Sequence, residues 1–302
     1  MNTITSPPAT EPGARRPLKI LLAEDNVTNQ KLAVTILNKQ GHQVTVAGDG
    51  RQAIEYFERE GFDLVLMDMQ MPDLDGLEAT AAIRKIGQRT GIQVPIIAVT
   101  ANAMIGDREQ CLKAGMDDYL SKPLRAADLS TMIQRLTSQP RPGPAPAPAT
   151  GSSAGLINEV FDYATSVQQV GDDAELLAQL VAVFLEQLPK LLLPLAAAVA
   201  SVDAKAIRQT AHALTSSVSV ISATRAKNLA RKLELMGLNA DLAGIELTHA
   251  ELLQEISLLR QALDSTPALK TAWATRTPKQ AAPNECWWSM TTPASACCSP
   301  IT

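Results

Sequence analysis

The stretch that decides the fold lies near the amino terminus, where residues 18–25 read LKILLAED. It is a mainly apolar run that ends in two carboxylates, Glu24 and Asp25. Two later runs have the same form: residues 62–68 read FDLVLMD and residues 94–100 read VPIIAVT, so they end in Asp68 and Thr100. Runs this apolar are typical of strands that are buried on both faces of a sheet.

Helical segments are predicted between these runs, and each is followed by a glycine. They cover residues 27–40, 50–60, 74–86 and 103–114, and the glycines are Gly41, Gly61, Gly87 and Gly115. Glycine just past the last helical turn is a typical stop signal. Strand and helix alternate five times along residues 18–138. This alternation predicts right-handed crossovers and an α/β, doubly wound, five-stranded parallel sheet.

The polar residues that close the strands are expected to form one site. In an open parallel sheet the carboxyl ends of the strands line a single crevice, so Glu24, Asp25, Asp68, Thr100 and Lys122 should converge there. Three crowded carboxylates repel one another, and Mg²⁺, which prefers oxygen ligands, relieves that repulsion. Asp68 is then a candidate nucleophile that forms an aspartyl phosphate, with Lys122 and Thr100 holding phosphoryl oxygens.

Residues 18–138 resemble the receiver domain of response regulators, in the subtype fused to hybrid histidine kinases. The resemblance runs through residues 22–26 (LAEDN), 29–30 (NQ), 41–42 (GH), 67–72 (MDMQMP), 75–76 (DG), 100–103 (TANA) and 121–123 (SKP). It implies a flavodoxin-like fold, phosphorylation of Asp68, and Mg²⁺ bound by Glu24, Asp25, Asp68 and the backbone carbonyl of Gln70. It also implies that Thr100 and Tyr119 form a conformational switch, and that the peptide between Lys122 and Pro123 is cis.

A phosphatase of the haloacid dehalogenase type is an alternative that uses the same nucleophile. That class needs a second Asp two residues after the first, and this position holds Gln70. Asp73 and Asp75 have the required spacing, but they follow Pro72 in a loop and do not close a strand. The receiver interpretation is therefore preferred.

Composition divides the rest of the chain. Residues 139–155 are rich in Pro, Ala, Gly and Ser, which is typical of an extended linker, and residues 1–17 and 265–302 are predicted to be disordered. Residues 156–264 form the second domain, in which helices near 172–200, 202–219, 223–236 and 240–263 predict an antiparallel four-helix bundle. The first of these is not predicted to span a membrane, because Glu186, Pro189, Lys190 and Pro194 interrupt it.

His212 lies beside the apolar seam of the second bundle helix, where an imidazole nitrogen can accept a phosphoryl group. Residues 156–264 resemble a histidine-phosphotransfer (Hpt) domain, and the resemblance implies that His212 is phosphorylated. It runs through Phe184, Pro189, Leu192, Ala211-His212-Ala213-Leu214, Ser217, Ile221, Ala223, Leu229 and Leu233-Glu234. The family has Lys and Gly where this chain has Thr215 and Ser216. We expect Arg208 or Arg225 to replace the lost charge.

The two resemblances imply an intermediate of a two-component phosphorelay. Asp68 would accept phosphoryl from a sensor histidine kinase and exchange it with His212 or with a downstream response regulator. The alternative is a binding module, in which phosphorylation of Asp68 changes docking by the bundle without phosphohistidine chemistry.

Composition limits the other function classes. No glycine-rich nucleotide box of a kinase is recognised, so the chain is not expected to be a kinase, although a receiver can catalyse its own phosphorylation and dephosphorylation. The net charge of −4 comes without a basic stripe, which argues against nucleic acid as a partner. Residues 1–17 lack the apolar core of a signal peptide, so we expect a cytoplasmic protein without membrane insertion.

Overall fold

The computed structural model describes residues 16–101, 105–137 and 160–269. Its amino-terminal domain is a five-stranded sheet with helices on both faces. The strands are β1 (Lys19–Ala23), β2 (Gln43–Ala47), β3 (Leu64–Asp68), β4 (Ile96–Thr100) and β5 (Asp118–Ser121). They alternate with α1 (Val27–Lys39), α2 (Gly50–Arg59), α3 (Gly76–Thr90), α4 (Ile105–Lys113) and α5 (Ala126–Thr137). The predicted α/β class is therefore confirmed.

All strand pairs are parallel, and the strand order is β2-β1-β3-β4-β5. The chain winds to one side of β1 and then to the other, so the crevice of this sheet lies between the ends of β1 and β3. The register pairs Asp68 with Val99 and Thr100 with Ser121. The polar residues that close the strands therefore share one edge.

Successive residues of β1 fill two different apolar layers. Ile20 and Leu22 belong to the layer that contains α1 and α5, whereas Leu21 and Ala23 belong to the layer that contains α2 and α3. None of the four is more than 1% exposed. This burial on both faces explains why the strands are continuous apolar runs without alternation.

The prediction for α3 was wrong at both ends. The helix begins at Gly76, after the N-cap Asp75, and passes through Gly87 to Thr90, where Gly91 ends it with φ of 74°. Gly87 allows a close packing contact instead: a Cβ there would lie 2.4 Å from the carbonyl oxygen of Ile92. In contrast, α1 and α2 end within one residue of their predicted limits.

The second domain is helical throughout the described residues. Its elements are α6 (Tyr163–Gln169), α7 (Ala174–Ala200), α8 (Ala204–Val220), α9 (Thr224–Asn239) and α10 (Ile245–Ser265). The last four are the predicted bundle, whereas the short α6 was not predicted. The bundle also passes the predicted limit at residue 264, because Leu269 is fully buried. The linker at 139–155 and most of the two terminal segments lie outside the described residues.

The helix α7 is long and apolar enough to cross a membrane by length and composition. In this fold 44% of its most apolar window is buried, and Phe184 at its centre is fully buried. Pro189 and Pro194 lie inside the helix and do not end it. Packing in the bundle accounts for the apolar face of α7, as for the core helix of any bundle.

Candidate functional site

Three carboxylates meet at the carboxyl edge of the sheet. Glu24 and Asp25 follow β1 and Asp68 ends β3, and one oxygen from each lies within 4.8 Å of the others. Burial raises the pKa of Asp68, and the neighbouring charge of Glu24 raises it further. The pKa of Asp25 is raised by the same two causes in the same order. The cluster therefore holds more negative charge than a buried site tolerates without a counter-charge.

Lys122 supplies part of that counter-charge. Its Nζ lies 2.6 Å from Asp68 Oδ2 and 2.8 Å from Glu24 Oε2. Burial alone would lower the pKa of Lys122, but the two carboxylates outweigh burial and the pKa is raised. The lysine is thus a permanent cation that balances one of three carboxylates. The peptide between Lys122 and Pro123 is cis, as predicted.

The donor set fits a hard divalent cation. Carboxylate oxygens are the ligands that Mg²⁺ prefers. Lys122 neutralises only one of the three carboxylates, and a Mg²⁺ ion would balance the remaining negative charge. The backbone N–H of Gln70 donates to Asp68 Oδ1 at 3.2 Å, which places this loop beside the Asp68 carboxylate. The Gln70 carbonyl as a metal ligand stays a prediction.

Thr100 and Tyr119 lie on neighbouring strands beside the same loop. Thr100 is buried at the end of β4, and its carbonyl accepts a hydrogen bond from the backbone N–H of Lys122 at 2.7 Å. Tyr119 is half-buried and packs against the apolar layer of α2 and α3. The positions suit the predicted roles of phosphoryl binding and switching, which stay predictions.

His212 is fixed by a buried carboxylate on the neighbouring helix. Its Nδ1 lies 3.0 Å from Glu234 Oε1, and Arg231 Nη1 lies 2.8 Å from the same oxygen. Burial alone would raise the pKa of Glu234, but the hydrogen bond and charge of His212, together with Arg231, outweigh it and the pKa is lowered. An ionised Glu234 accepts a hydrogen bond from Nδ1, so in the neutral form of the imidazole the lone pair is on Nε2, where a phosphoryl group can bind.

The cation paired with Glu234 is Arg231, whereas Arg225 has a different carboxylate as its partner. Arg225 pairs with Glu255 of α10 at 3.0 Å. It precedes Glu234 by nine positions on α9, a separation of about 13 Å along the helix axis. Arg231 was missed, although a position three residues before Glu234 faces it on a helix. Arg208 is exposed one turn before His212, and its role stays a prediction.

The residues that replace the family's Lys and Gly are both buried. The Thr215 hydroxyl donates to the carbonyl four residues earlier, and the hydroxyls of Ser217 and Ser219 do the same. Ser216 breaks this pattern: it is 5% exposed, and its Oγ has no hydrogen-bond partner among the described residues. The turn of α8 after His212 therefore carries hydroxyl groups where the family has a cation.

The bundle packs against the sheet domain through α1. This helix contacts α7 and α8. Asn26, the N-cap of α1, donates from Nδ2 to the Ala213 carbonyl at 3.1 Å and to Ser217 Oγ at 2.7 Å. His212 lies close enough to Asp25 for a protonated imidazole to oppose the rise in the pKa of that carboxyl. The sequence predicted both sites but not the contact of Asn26 with α8 that lies between them.

Family profiles agree with this geometry. The profile of the response regulator receiver domain matches residues 20–134, and the profile of the Hpt domain matches residues 179–265. The predicted order of a receiver domain followed by an Hpt domain is therefore confirmed. The receiver domain carries the acidic cluster, and the Hpt domain carries His212.

Curated relatives of this receiver–Hpt chain are histidine kinases. It is 33% identical over 198 residues to the sensor histidine kinase GacS of Pseudomonas protegens, covering 65% of this chain and 22% of that protein. It is 30% identical over 220 residues to the signal transduction histidine-protein kinase BarA of Shigella flexneri, covering 72% and 24%. Hybrid signal transduction histidine kinase I of Dictyostelium discoideum is 51% identical over 122 residues, covering 39% and 7%. The chain thus spans less than a quarter of each relative.

Solved structures match one domain at a time. The receiver domain of a Pseudomonas aeruginosa sensor histidine kinase, with a magnesium ion in its active-site cleft, is 48% identical. The match covers 41% of this chain and all of that one, with a TM-score of 0.38. A co-crystal structure of a Saccharomyces cerevisiae histidine phosphotransfer protein with the receiver domain of its downstream response regulator gives 32% identity. It covers 40% of this chain and 90% of that one, with a TM-score of 0.39.

Proposed function

We propose that this chain is a phosphorelay protein that carries phosphoryl groups on Asp68 and His212. One observation supports this most: Asn26, which donates to Glu24 of the acidic cluster, also donates to the Ala213 carbonyl directly after His212, so both candidate acceptors lie beside the same domain interface. A sensor histidine kinase would supply the group and a response regulator would remove it, both in the cytoplasm. The binding-module alternative is weaker, because docking alone has no use for a histidine held by a buried carboxylate.

Asp68 is the nucleophile of the receiver domain. A carboxylate oxygen of Asp68 attacks phosphorus, and the bond from phosphorus to the donor breaks, so that the donor leaves with the electron pair. Lys122, already 2.6 Å from this carboxylate, would neutralise a phosphoryl oxygen, and the Thr100 hydroxyl would donate to another. Mg²⁺ bound by Glu24, Asp25, Asp68 and the Gln70 carbonyl would balance the charge of the phosphoryl group.

His212 is the second acceptor. Its Nε2 takes the phosphoryl group, while the Nδ1 proton stays hydrogen-bonded to Glu234, whose negative charge stabilises the positively charged phosphorylated ring. Neither step uses ATP, so in this proposal another protein is the kinase.

The proposal predicts two chemically different adducts. After incubation of the full chain with acetyl phosphate and Mg²⁺, mass spectrometry should detect one phosphoryl group on Asp68, sensitive to hydroxylamine. A second should appear on His212, labile in acid and stable in base. Omission of Mg²⁺ with added chelator should remove both. A chain that gains no adduct under these conditions is not a phosphorelay protein.

A second prediction concerns Glu234. Glu234→Gln keeps an acceptor of nearly the same shape for Nδ1 but removes the charge that stabilises the phosphorylated ring. We expect the phosphohistidine yield to fall about tenfold. Glu255→Gln is the matched control, since Glu255 is also a buried carboxylate paired with an arginine, on α10 and away from His212. Equal yields from the two variants would show that Glu234 has no special role.

A further inference from the structure

We propose that the phosphoryl group passes between Asp68 and His212 within one chain, in a closed complex that the contact between Asn26 and Ser217 holds in register. This proposal rests on the proposed function. It specifies the route of phosphoryl transfer, with the chain's own Hpt domain as the partner of its receiver domain. Three features carry it: the orientation of Asn26, the position of Ser217, and the buried interface around them.

The side chain of Asn26 is oriented by the helix that it caps. Its Oδ1 accepts hydrogen bonds from the backbone N–H groups of Thr28 and Asn29 at 3.0 and 3.3 Å. Because the oxygen is used by the cap, the Nδ2 group must point away from α1, toward the Hpt domain. Asn26 is 8% exposed, so both of its Nδ2 hydrogen bonds to α8 are shielded from water. Shielded bonds of this kind discriminate between partners, since an unmatched donor would stay buried and unpaired.

Asn26 also touches the acidic cluster. Its backbone N–H donates to Glu24 Oε1 at 3.3 Å, and Asn29 Nδ2 donates to the same oxygen at 2.8 Å. The residue that contacts the Hpt domain is therefore hydrogen-bonded to a carboxylate of the cluster around Asp68. A correct fit of Asn26 on α8 fixes where the acidic cluster lies relative to the bundle.

The acceptors on α8 both lie within the turn and a half that follows the histidine. Ala213 follows His212 directly, and Ser217 lies five residues after it, so Asn26 contacts the turn that presents the imidazole. Ser217 is 1% exposed and donates its own proton to the Ala213 carbonyl at 3.1 Å. Its oxygen is thus left to accept from Asn26.

The rest of the interface consists of apolar packing and one ion pair. The apolar layer that contains α1 and α5 is continuous with the core of the bundle. At the far end of α1, Lys39 forms an ion pair with Asp173, the N-cap of α7. This pair is largely exposed and adds little energy. The buried contacts at Asn26 therefore set the register at the end of α1 where the chemistry takes place.

The transfer balances without an added reagent. The Nε2 lone pair of His212 attacks phosphorus, the bond from phosphorus to the Asp68 oxygen breaks, and Asp68 leaves as a carboxylate with the electron pair. The Nδ1 proton of His212 remains on the ring and shared with Glu234. Lys122 then recovers its pairing with Asp68. The reverse step uses the same atoms.

The route is tested with full-length chains. The wild-type chain is incubated with acetyl phosphate and Mg²⁺, and the rate of phosphohistidine formation, relative to acyl phosphate, is measured over a roughly hundredfold range of concentration. A mixture of Asp68→Asn and His212→Gln chains permits transfer only between molecules. Within one chain, the effective concentration of the Hpt domain at its own receiver domain is on the order of millimolar. The rate of phosphohistidine formation in the wild type should therefore not depend on protein concentration. The same effective concentration predicts a rate about a thousandfold lower in a micromolar mixture.

The outcomes separate the route from the function. If phosphohistidine forms in both samples with the same dependence on concentration, transfer runs between molecules and the closed complex is not the route. If it forms in neither sample while Asp68 is phosphorylated, the proposed role of His212 fails, and the route fails with it.

Ser217→Ala tests the contact itself. The variant removes one acceptor of Asn26, and transfer within the chain should slow about 5- to 10-fold, the effect of one buried hydrogen bond. Ser219→Ala is the matched control, because its hydroxyl makes the same bond to the carbonyl four residues earlier but none to the receiver domain. It should transfer at the wild-type rate. Equal rates for Ser217→Ala and Ser219→Ala would overturn the role given to Asn26 and Ser217.

Discussion

Lys122→Met is expected to slow phosphorylation of Asp68 by acetyl phosphate about 10²- to 10³-fold while tightening Mg²⁺ binding. The two effects have opposite signs because Lys122 has two roles. Its ammonium lies between Asp68 and Glu24, so it competes with a metal for the same oxygens. In the proposed function the same ammonium would stabilise the phosphoryl oxygens, and no other cation is paired with Asp68 among the described residues. Calorimetric titration with Mg²⁺ and mass spectrometry of the acyl phosphate measure the two effects separately.

Lys113→Met is the matched control for this substitution. Lys113 is 79% exposed on α4 and pairs only loosely with Glu109, at 3.8 Å. Neither Mg²⁺ affinity nor phosphorylation should change in this variant. If Lys122→Met phosphorylates as fast as Lys113→Met, the lysine is a structural counter-charge only. Unchanged Mg²⁺ affinity in Lys122→Met would mean that metal and ammonium do not compete.

The receiver half could be predicted from local patterns because its site is built from strand ends. An apolar run that closes on Asp68 fixes both the strand and the position of the carboxylate. The error at Gly87 has a different origin. The helix-stop rule recognises glycine but not the reason for it, and here the reason is the Ile92 carbonyl, whose position depends on how the next loop folds back.

In the Hpt domain, local sequence patterns predict the site residues but not their contact with the receiver domain. His212 could be found from its place beside an apolar seam and from the family resemblance, and Arg231 could have been found from its spacing to Glu234. The bond between Asn26 and Ser217 could not, since 191 positions separate the two residues. It depends on how two complete domains dock, and no periodicity of either domain encodes that orientation.

Gly76→Ala is expected to destabilise the receiver domain by about 3 kcal/mol, since a clash with backbone cannot relax by side-chain movement. A Cβ at this position would lie 2.1 Å from the carbonyl oxygen of Asp68 and 3.0 Å from Met69 Cα. Gly76 is the first residue of α3, and its N–H donates to the Met69 carbonyl at 3.2 Å. The start of α3 must therefore move away from the end of β3. Urea unfolding followed by circular dichroism measures the loss.

Gly61→Ala in the same domain separates this clash from the general effect of removing a glycine. Nothing lies within 4 Å of a Cβ at Gly61. The substitution should leave stability within about 1 kcal/mol of wild type, on the stabilising side, because alanine restricts the unfolded chain. Equal unfolding midpoints for the two variants would contradict the close packing of α3 on β3. If the packing holds, Gly76→Ala should also lower phosphorylation of Asp68 in molecules that remain folded, because the displaced carbonyl belongs to the proposed nucleophile.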